Sequence, residues 1–516
     1  MAGASYNAAV ELVDPHAPAG RGDKAAFIDP TETLTYADLA ERVNRTAGLM
    51  QTYAIPREAR VAVLMLDTVD WPVVFLGAIK AGVVPVALNT LMTTEQYGYM
   101  LADSRAHALF VSAQLLPVVQ PLLGTLPLLK HVFVAGGEAP AYALSLRGEL
   151  AHQSPAFTAV DTRADEPAFW LYSSGSTGSP KGTKHVHSSL MATAKTYGAG
   201  VLGLKTDDVV YSAAKFFFAY GLGNSLTFPL SVGATTVLLP DRPTPASVFD
   251  LLRKHQPTVF CGVPTLYAAM LAYEGGAKQP GTERLRVCIS AGEQLPEEVG
   301  RRWMERTGVD VLDGIGSTEM LHIFLSNRRG DIKLGTTGKA VPGYTLRIID
   351  EEGRDVSDGD VGELIIQGPS AAEGYWSQRA KSQSTFRGPW TYSGDKYIRD
   401  ADGFYTCQGR TDDMFKVSGI WVSPFEVEAA LLTHDAVLEA AVVAHEEGDG
   451  LIKPKAFVAL KPGKTVTPTL TQELQDTVKA KAGPWKYPRW IEFVDALPKT
   501  ATGKIQRFKL RTPKAE

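Results

Sequence analysis

Apolar positions recur along this chain with two periods, and their alternation predicts its elements. Thr35 and Asp38 read as a helix N-cap with a carboxylate in the first turn, where free N–H groups need an acceptor. Behind them Leu39, Ala40, Val43, Ala47 and Met50 fall on one helical face. Arg60-Val-Ala-Val-Leu-Met-Leu66 is a continuous apolar run, as a strand covered on both faces requires. Residues 73–81 read as a helix stopped by Gly82, and 83–88, 108–111 and 132–134 as short strands. The pattern returns between about 186 and 345, with strands expected at 235–239, 258–261, 287–289 and 309–312. Strands alternating with helices predict a parallel α/β sheet. Three of these strands run into unusual loops: Gly262-Val-Pro-Thr265, Ser290-Ala-Gly-Glu293 and Asp313-Gly-Ile-Gly-Ser-Thr-Glu319. Ligands bind at the carboxyl ends of strands in open α/β sheets, so a site belongs there.

From 345 to 410 the chain is turn-rich and strand-like, with strands at 346–349 and 363–367. Beyond Gly409-Arg-Thr-Asp-Asp413 the pattern changes. Ser423-Pro-Phe-Glu426 carries an N-cap, Pro at the first helical position and Glu at the third. Strands near 438–443 and 456–460 and a helix near 470–481 complete a compact α+β unit. At 516 residues the chain is too long for one core and divides into domains.

Candidate chemistry concentrates in Tyr172-Ser-Ser-Gly-Ser-Thr-Gly-Ser-Pro-Lys-Gly-Thr-Lys184, after the strand-like Ala168-Phe-Trp-Leu171. Glycines let backbone N–H groups turn toward a ligand, successive N–H groups make an anion site, and Lys181 adds a charge that suits phosphate. A Ser/Gly linker needs neither that lysine nor the strand before it. The spacing is not that of a Walker P-loop.

Bulk properties narrow the classes. Net charge is −4 without a long Lys/Arg cluster, which argues against nucleic acid. Cys261, Cys288 and Cys407 are far apart and offer no metal or redox spacing, which points to a reducing, cytoplasmic setting. The N-terminus has no basic or apolar leader, and the chain does not end in a peroxisomal signal. The most apolar region, 71–88, is broken by Pro72, Gly77, Lys80, Gly82 and Pro85 and is not a membrane span.

The run 172–184 resembles the phosphate loop of the adenylate-forming superfamily of acyl-CoA ligases, adenylation domains and luciferases. Four further matches follow in the family's order: Asp313 to Glu319, Tyr392-Ser-Gly-Asp395, Gly409-Arg-Thr-Asp-Asp-Met-Phe-Lys-Val-Ser-Gly419 and Pro498-Lys-Thr-Ala-Thr-Gly-Lys504. The resemblance covers the whole chain. It implies a large N-terminal α/β domain of doubly wound sheets plus a small β subdomain, residues 1–411. A small mobile α+β C-terminal domain, 412–516, would follow. It also implies that ATP and a carboxylic acid give an acyl-adenylate and pyrophosphate, with Mg²⁺ as cofactor.

Carried over residue by residue, Ser173, Ser174, Gly175, Ser176, Thr177, Gly178 and Lys181 would hold the phosphates. Ala291, Gly292, Glu293, Asp313, Gly314 and Ile315 would line the adenine, and Asp395 and Arg410 would hold the ribose. Thr318 would donate to the α-phosphate, and Glu319 would hold Mg²⁺, a hard cation that takes carboxylate oxygens. Lys504 would be catalytic, bridging carboxylate and phosphate as charge builds on phosphorus. Asp412 would be the hinge of a domain rotation, and Gly419 would wall the coenzyme A tunnel.

Lys215-Phe-Phe-Phe-Ala-Tyr-Gly-Leu-Gly-Asn224 has no Asp for an ammonium group, and a Phe/Tyr wall fits a flat ring. Gly221 and Gly223 suggest close approach to a ligand. With Thr318-Glu-Met-Leu-His-Ile-Phe324 the segment resembles benzoate–CoA ligases, including relatives that take 2-aminobenzoate or hydroxybenzoates. There Ala219, Tyr220, Gly221, Gly316, His322 and Ile323 would surround the ring. His322 is either a satisfied structural histidine or a polar contact to a ring substituent. The expected partners are an aromatic carboxylic acid and coenzyme A, with no nucleic acid and no membrane, in a monomer or homodimer. Only twelve residues follow Lys504, which favours free coenzyme A. An enzyme that loads a separate carrier protein, and a nucleotide-binding regulator without chemistry, are the alternatives.

Overall fold

Two mixed sheets position the site. The computed structural model describes residues 4–173, 180–273, 281–410, 413–417, 420–446, 451–499 and 505–511. The first sheet runs Gly374–Tyr375, Lys181–Val186, Pro167–Ser173, Val84–Ala87, Arg60–Leu64, Ala108–Ser112, His131–Ala135 and Leu144–Ser145. The second runs Lys339–Ala340, Ile323–Ser326, Val311–Gly316, Val287–Ser290, Val259–Gly262, Val209–Ser212, Thr235–Val237, Ala25–Ile28 and Thr33–Thr35.

The parallel expectation holds for the sheet centres. Pro167–Ser173 and Lys181–Val186 are antiparallel, as are Val311–Gly316 and Ile323–Ser326. The connections 174–180 and 317–322 are too short for the crossover that parallel strands need. Ala25–Ile28 lies apart from the strands that follow it in the chain and pairs with Thr235–Val237 in the second sheet. Local periodicity cannot say which sheet a strand joins.

The helix signals behave as their chemistry requires. Thr35 and Asp38 form a reciprocal capping box on Tyr36–Thr52. Asp70–Lys80 ends before Gly82, whose φ is +70°. The helix of Pro424–Leu432 starts with the Ser423 side chain accepting from the Glu426 N–H. A five-stranded antiparallel sheet, including Thr345–Ile349, Gly362–Gln367, Trp390–Arg399 and Tyr405–Arg410, follows the large sheets. The C-terminal unit packs Pro424–Leu432 and Leu470–Ala482 with the strands Val437–Glu446, Ile452–Leu460 and Trp490–Phe493. The boundary expected at 411–412 lies outside the described residues.

Two loop expectations are corrected. The strand expected at 309–312 is Val311–Gly316, so the first four residues of Asp313 to Glu319 are strand. They pair with Ile323–Ser326, and that partner fixes their conformation. Gly262 closes its strand and Pro264 already opens the helix Pro264–Ala272, which leaves Val263 alone between them. One core spans both large sheets, joining Phe27 and Leu238 to Val61, Phe110 and Phe169. Phe216, Phe217, Leu222 and Leu321 belong to it, so the aromatic run is anchored in the core before it reaches the site.

Candidate active site

Ser173 and Lys181 stand opposite each other where the two strands open toward 174–179. Ser174, Gly175, Ser176, Thr177 and Gly178 lie outside the described residues. The Lys181 ammonium lies 4.6 Å from the centroid of the Tyr375 ring. Burial lowers its pKa, and the nearby Glu319 carboxylate pulls the other way. The Tyr375 hydroxyl donates to Glu319 Oε1 at 2.8 Å, and the Ala372 N–H donates to the Glu319 carbonyl, also at 2.8 Å. The preceding residue, Thr318, has its carbonyl fixed by His185 Nε2–H at 2.8 Å. His185 is fully buried against Phe169, and burial pushes its pKa down to about 4, so it works as a neutral donor.

Asp395 and Arg410 are directly opposite on neighbouring antiparallel strands. That register explains their ion pair, Nη1 to Oδ1 at 3.0 Å, with Arg410 also donating to the Ser393 carbonyl at 3.3 Å. In the loop expected to line the adenine, Ala291 is buried and Gly292 takes φ +98°, a conformation that favours glycine. Asp313 is buried and its Oδ2 accepts the Leu295 N–H at 3.2 Å. Burial pushes its carboxyl well above the usual carboxylate range. Its side chain therefore ties down the Ser290–Leu295 turn, while Gly314 and Ile315 continue the strand.

The expected ring wall assembles around His322. The Tyr220 hydroxyl reaches the carbonyls of Gly262 at 3.1 Å and Ile289 at 3.2 Å, the ends of two neighbouring strands. His322 Nε2–H donates to the Tyr220 carbonyl at 3.3 Å. Rings of Phe228, Tyr197 and Tyr220 lie 4.5, 5.2 and 5.7 Å from the imidazole. Burial pushes its pKa down to about 3, so the ring is neutral, and Nδ1 has no partner among the described residues. Ala219 opens the short helix Ala219–Leu222, and Ile323 is buried beside His322. Gly316 lies against the His322 backbone, where a Cβ would come within 2.5 Å of the carbonyl oxygen.

The reason offered for Gly221 and Gly223 changes. A Cβ on Gly221 would lie 2.0 Å from the Lys215 carbonyl oxygen, and one on Gly223 would lie 2.3 Å from His322 Cδ2. Both glycines admit protein atoms.

Lys504, Asp412 and Gly419 lie outside the described residues. Arg507, three residues beyond Lys504, donates to both Glu428 oxygens at 3.0 and 2.7 Å and feels the charge of Glu293 on the loop expected to line the adenine. Sequence reasoning missed His185 and Tyr375. The only signal for Tyr375 was an aromatic pair after Gly374, and His185 is silent because its role depends on a carbonyl 133 residues away.

The family model described as AMP-binding enzyme matches residues 15–376, and the AMP-binding enzyme C-terminal domain matches 426–504. A benzoate–CoA ligase of Thauera aromatica is 58% identical over 98% of this chain and 96% of its own length. The crystal structure of a benzoate CoA ligase from Burkholderia xenovorans LB400 superposes with TM-score 0.92 at 50% identity, covering 98% of this chain and 100% of that one. An anthranilate CoA ligase solved with anthranoyl-AMP superposes with TM-score 0.95 at 41% identity, covering 98% and 96%.

Proposed function

The chain belongs to the AMP-binding enzyme family, and from that premise we propose that it is an ATP-dependent aryl-CoA ligase. It activates benzoate or a ring-substituted benzoate such as 2-aminobenzoate to the aryl-AMP, releasing pyrophosphate. It then transfers the aroyl group to coenzyme A. The observation that carries this reading is the continuity of residues 315–323. That stretch passes from the strand beside the adenine loop, through Thr318 and Glu319, into the ring wall of His322 and Ile323. In this reading a carboxylate held against that wall would present its oxygens toward Thr318 and the α-phosphate.

In this reading Lys181 and residues 173–178 bind the β- and γ-phosphates, Asp395 and Arg410 hold the ribose, and Ala291 to Glu293 with Asp313 to Ile315 flank the adenine. Thr318 donates to the α-phosphate, and Lys504 bridges the two reacting anions. Glu319 belongs to no group of three or more His, Cys, Asp or Glu that could hold a metal among the described residues. A single carboxylate there would suit a Mg²⁺ arriving with the triphosphate, a hard cation that takes oxygen ligands. Held by Glu319, the ion would supply neutralising charge for the phosphates.

The acceptor atom Nδ1 of neutral His322 suits an amino or hydroxyl donor on the ring. After adenylation the C-terminal domain, 412–516, rotates about Asp412 and brings Gly419 to the coenzyme A tunnel. The three cysteines are free and buried, which fits a reducing compartment such as the cytoplasm. No helix among the described residues is long and apolar enough to cross a membrane.

The test is pyrophosphate release, with and without coenzyme A, over benzoate, 2-aminobenzoate, hydroxybenzoates, cinnamate and a medium-chain fatty acid. The expected result is fastest turnover with a benzoate and thioester formation only with coenzyme A. Faster turnover of the fatty acid defeats the ring-wall reading, and thioester on an added carrier protein alone supports carrier loading.

A further inference from the structure

We propose that Tyr375 is a positioning residue for adenylation, holding the Glu319 carboxylate and the Lys181 ammonium in one fixed arrangement. The inference rests on the assignment of Glu319 to the metal and Lys181 to the phosphates. Three contacts carry it. The hydroxyl donates to Glu319 Oε1 at 2.8 Å, and the ring lies 4.6 Å beneath the Lys181 ammonium. The Ala372 N–H, three residues earlier, holds the Glu319 carbonyl at 2.8 Å. One short segment therefore grips Glu319 at both its backbone and its carboxylate.

The fold explains why this residue is placed there. Gly374–Tyr375 is the edge strand of the first sheet, with Tyr375 opposite Thr183. Lys181 is two residues from Thr183 and so shares its face, which puts the tyrosine ring under the lysine. The residues around the strand hold it in place. The Trp376 N–H donates to the Gly182 carbonyl at 2.8 Å, and its indole Nε1–H donates to the Asp103 carbonyl at 2.9 Å. Arg60 and Arg105 lie over the same indole at 5.1 and 5.2 Å. The Tyr375 N–H donates to Ser382 Oγ at 3.0 Å, and its ring meets Phe386 at 5.4 Å. Tyr375 is only 5% exposed, so its hydroxyl has little water to bond instead.

The consequence is electrostatic. An unrestrained Glu319 carboxylate would be drawn to the Lys181 ammonium, which already feels its charge. Such a pair would occupy both the metal ligand and the phosphate cation before ATP arrives. The hydroxyl takes one carboxylate oxygen, and the ring face takes the ammonium, so the two charges stay available to the triphosphate.

The test uses the full chain with Tyr375→Phe, Tyr375→Leu and Glu319→Gln. Phenylalanine keeps the ring under Lys181 and removes the hydroxyl. Five quantities are read: MgATP affinity and metal-free ATP affinity by calorimetry without aryl acid, the half-saturating Mg²⁺ concentration for pyrophosphate release, the aryl-acid KM, and the urea midpoint. For Tyr375→Phe we expect MgATP affinity and the Mg²⁺ response to weaken about ten- to a hundredfold, the worth of a hydrogen bond to a charged group. ATP binding without metal, the aryl-acid KM and the urea midpoint should stay within about twofold of the parent. Tyr375→Leu should also weaken metal-free ATP binding, because Lys181 loses its platform. A parent-like Mg²⁺ response in Tyr375→Phe, with that response lost in Glu319→Gln, overturns the role of Tyr375. A parent-like response in Glu319→Gln overturns the metal assignment and this inference with it.

Discussion

Replacing Gly223 by alanine should damage recognition of the aryl acid and leave ATP recognition intact. The new Cβ would lie 2.3 Å from His322 Cδ2, 2.8 Å from Nε2 and 2.9 Å from Phe228 Cζ. Ordinary contact begins at 3.4 Å, so the imidazole must yield by about 1 Å. It has little room to do so. Its own carbonyl is packed where a Cβ on Gly316 would be 2.5 Å away, and the Phe228 ring stands 4.5 Å off. In the proposed reading the ring yields toward the space assigned to the substrate. Overpacking a tight core costs about 1–3 kcal/mol. Expressed in binding, that is about five- to a hundred-and-fifty-fold in the KM for the aryl acid. The assay is pyrophosphate release against aryl acid and against ATP, with urea midpoints alongside. Gly48→Ala is the control, because its nearest neighbour is Gln153 Oε1 at 3.6 Å, far from the site. An aryl-acid KM within twofold of the parent, from a protein whose urea midpoint has fallen, would refute the placement of His322 against the ring.

Three further outcomes are expected. His185, His187 and His322 are buried and neutral, with pKa values pushed down to about 4, 4 and 3, while the unfolded chain takes up protons near 6.5. Stability present above pH 6.5 is therefore lost as pH falls, by about 2 kcal/mol for each histidine at pH 5. Burial raises Asp67 to about 6, which works in the opposite sense below that pH, so the discriminating measurement is the flatter urea-midpoint profile of His322→Asn between pH 6.5 and 4.5. Lys504→Ala should slow aryl-adenylate formation about a hundred- to a thousandfold and spare thioester formation from supplied aryl-adenylate; equal loss in both assays rejects its role. Asp412→Pro, which fixes φ near −65°, should leave single-turnover adenylation intact while coenzyme A transfer slows by orders of magnitude, and near-normal transfer excludes the hinge.

What the sequence made legible was local. The capping box at Thr35 and Asp38, the N-cap at Ser423 and the apolar strand beginning at Arg60 depend on neighbours a few residues away, and each is found where its chemistry puts it. The motifs also brought Lys181, Glu319, Asp395, Arg410, Tyr220 and His322 into view, because the family resemblance assigns residues of these types to an adenylating site. What stayed hidden was contact at long range. Nothing near residue 25 says that its strand pairs with Thr235–Val237. Nothing near His185 says that it holds the carbonyl of Thr318, or near Tyr375 that it holds Glu319. Glycine was misread for the same reason. Gly221 and Gly223 signalled close approach, but only coordinates identify the approaching atoms as the Lys215 carbonyl and the His322 ring.

Leu321 shows why the two ends of the site cannot be independent. It takes φ +64°, a left-handed conformation that costs a non-glycine residue about 1–2 kcal/mol. It stands between Glu319, whose carboxylate Tyr375 holds, and His322, which is assigned to the ring wall. The strain persists because its surroundings leave no alternative. Its side chain is buried in the core shared with Phe216, its N–H donates to the Thr318 carbonyl at 3.2 Å, and the next N–H returns to the Met320 carbonyl at 2.8 Å. Without this turn Thr318 and His322 would lie along an extended strand, about 13 Å apart at 3.3 Å per residue. With it, the chain folds back between the residue assigned to the α-phosphate and the residue assigned to the ring, so in the proposed reading one carboxylic acid spans both. A change that repacks Leu321 should therefore move aryl-acid and ATP recognition together, unlike Gly223→Ala, which should move only the first.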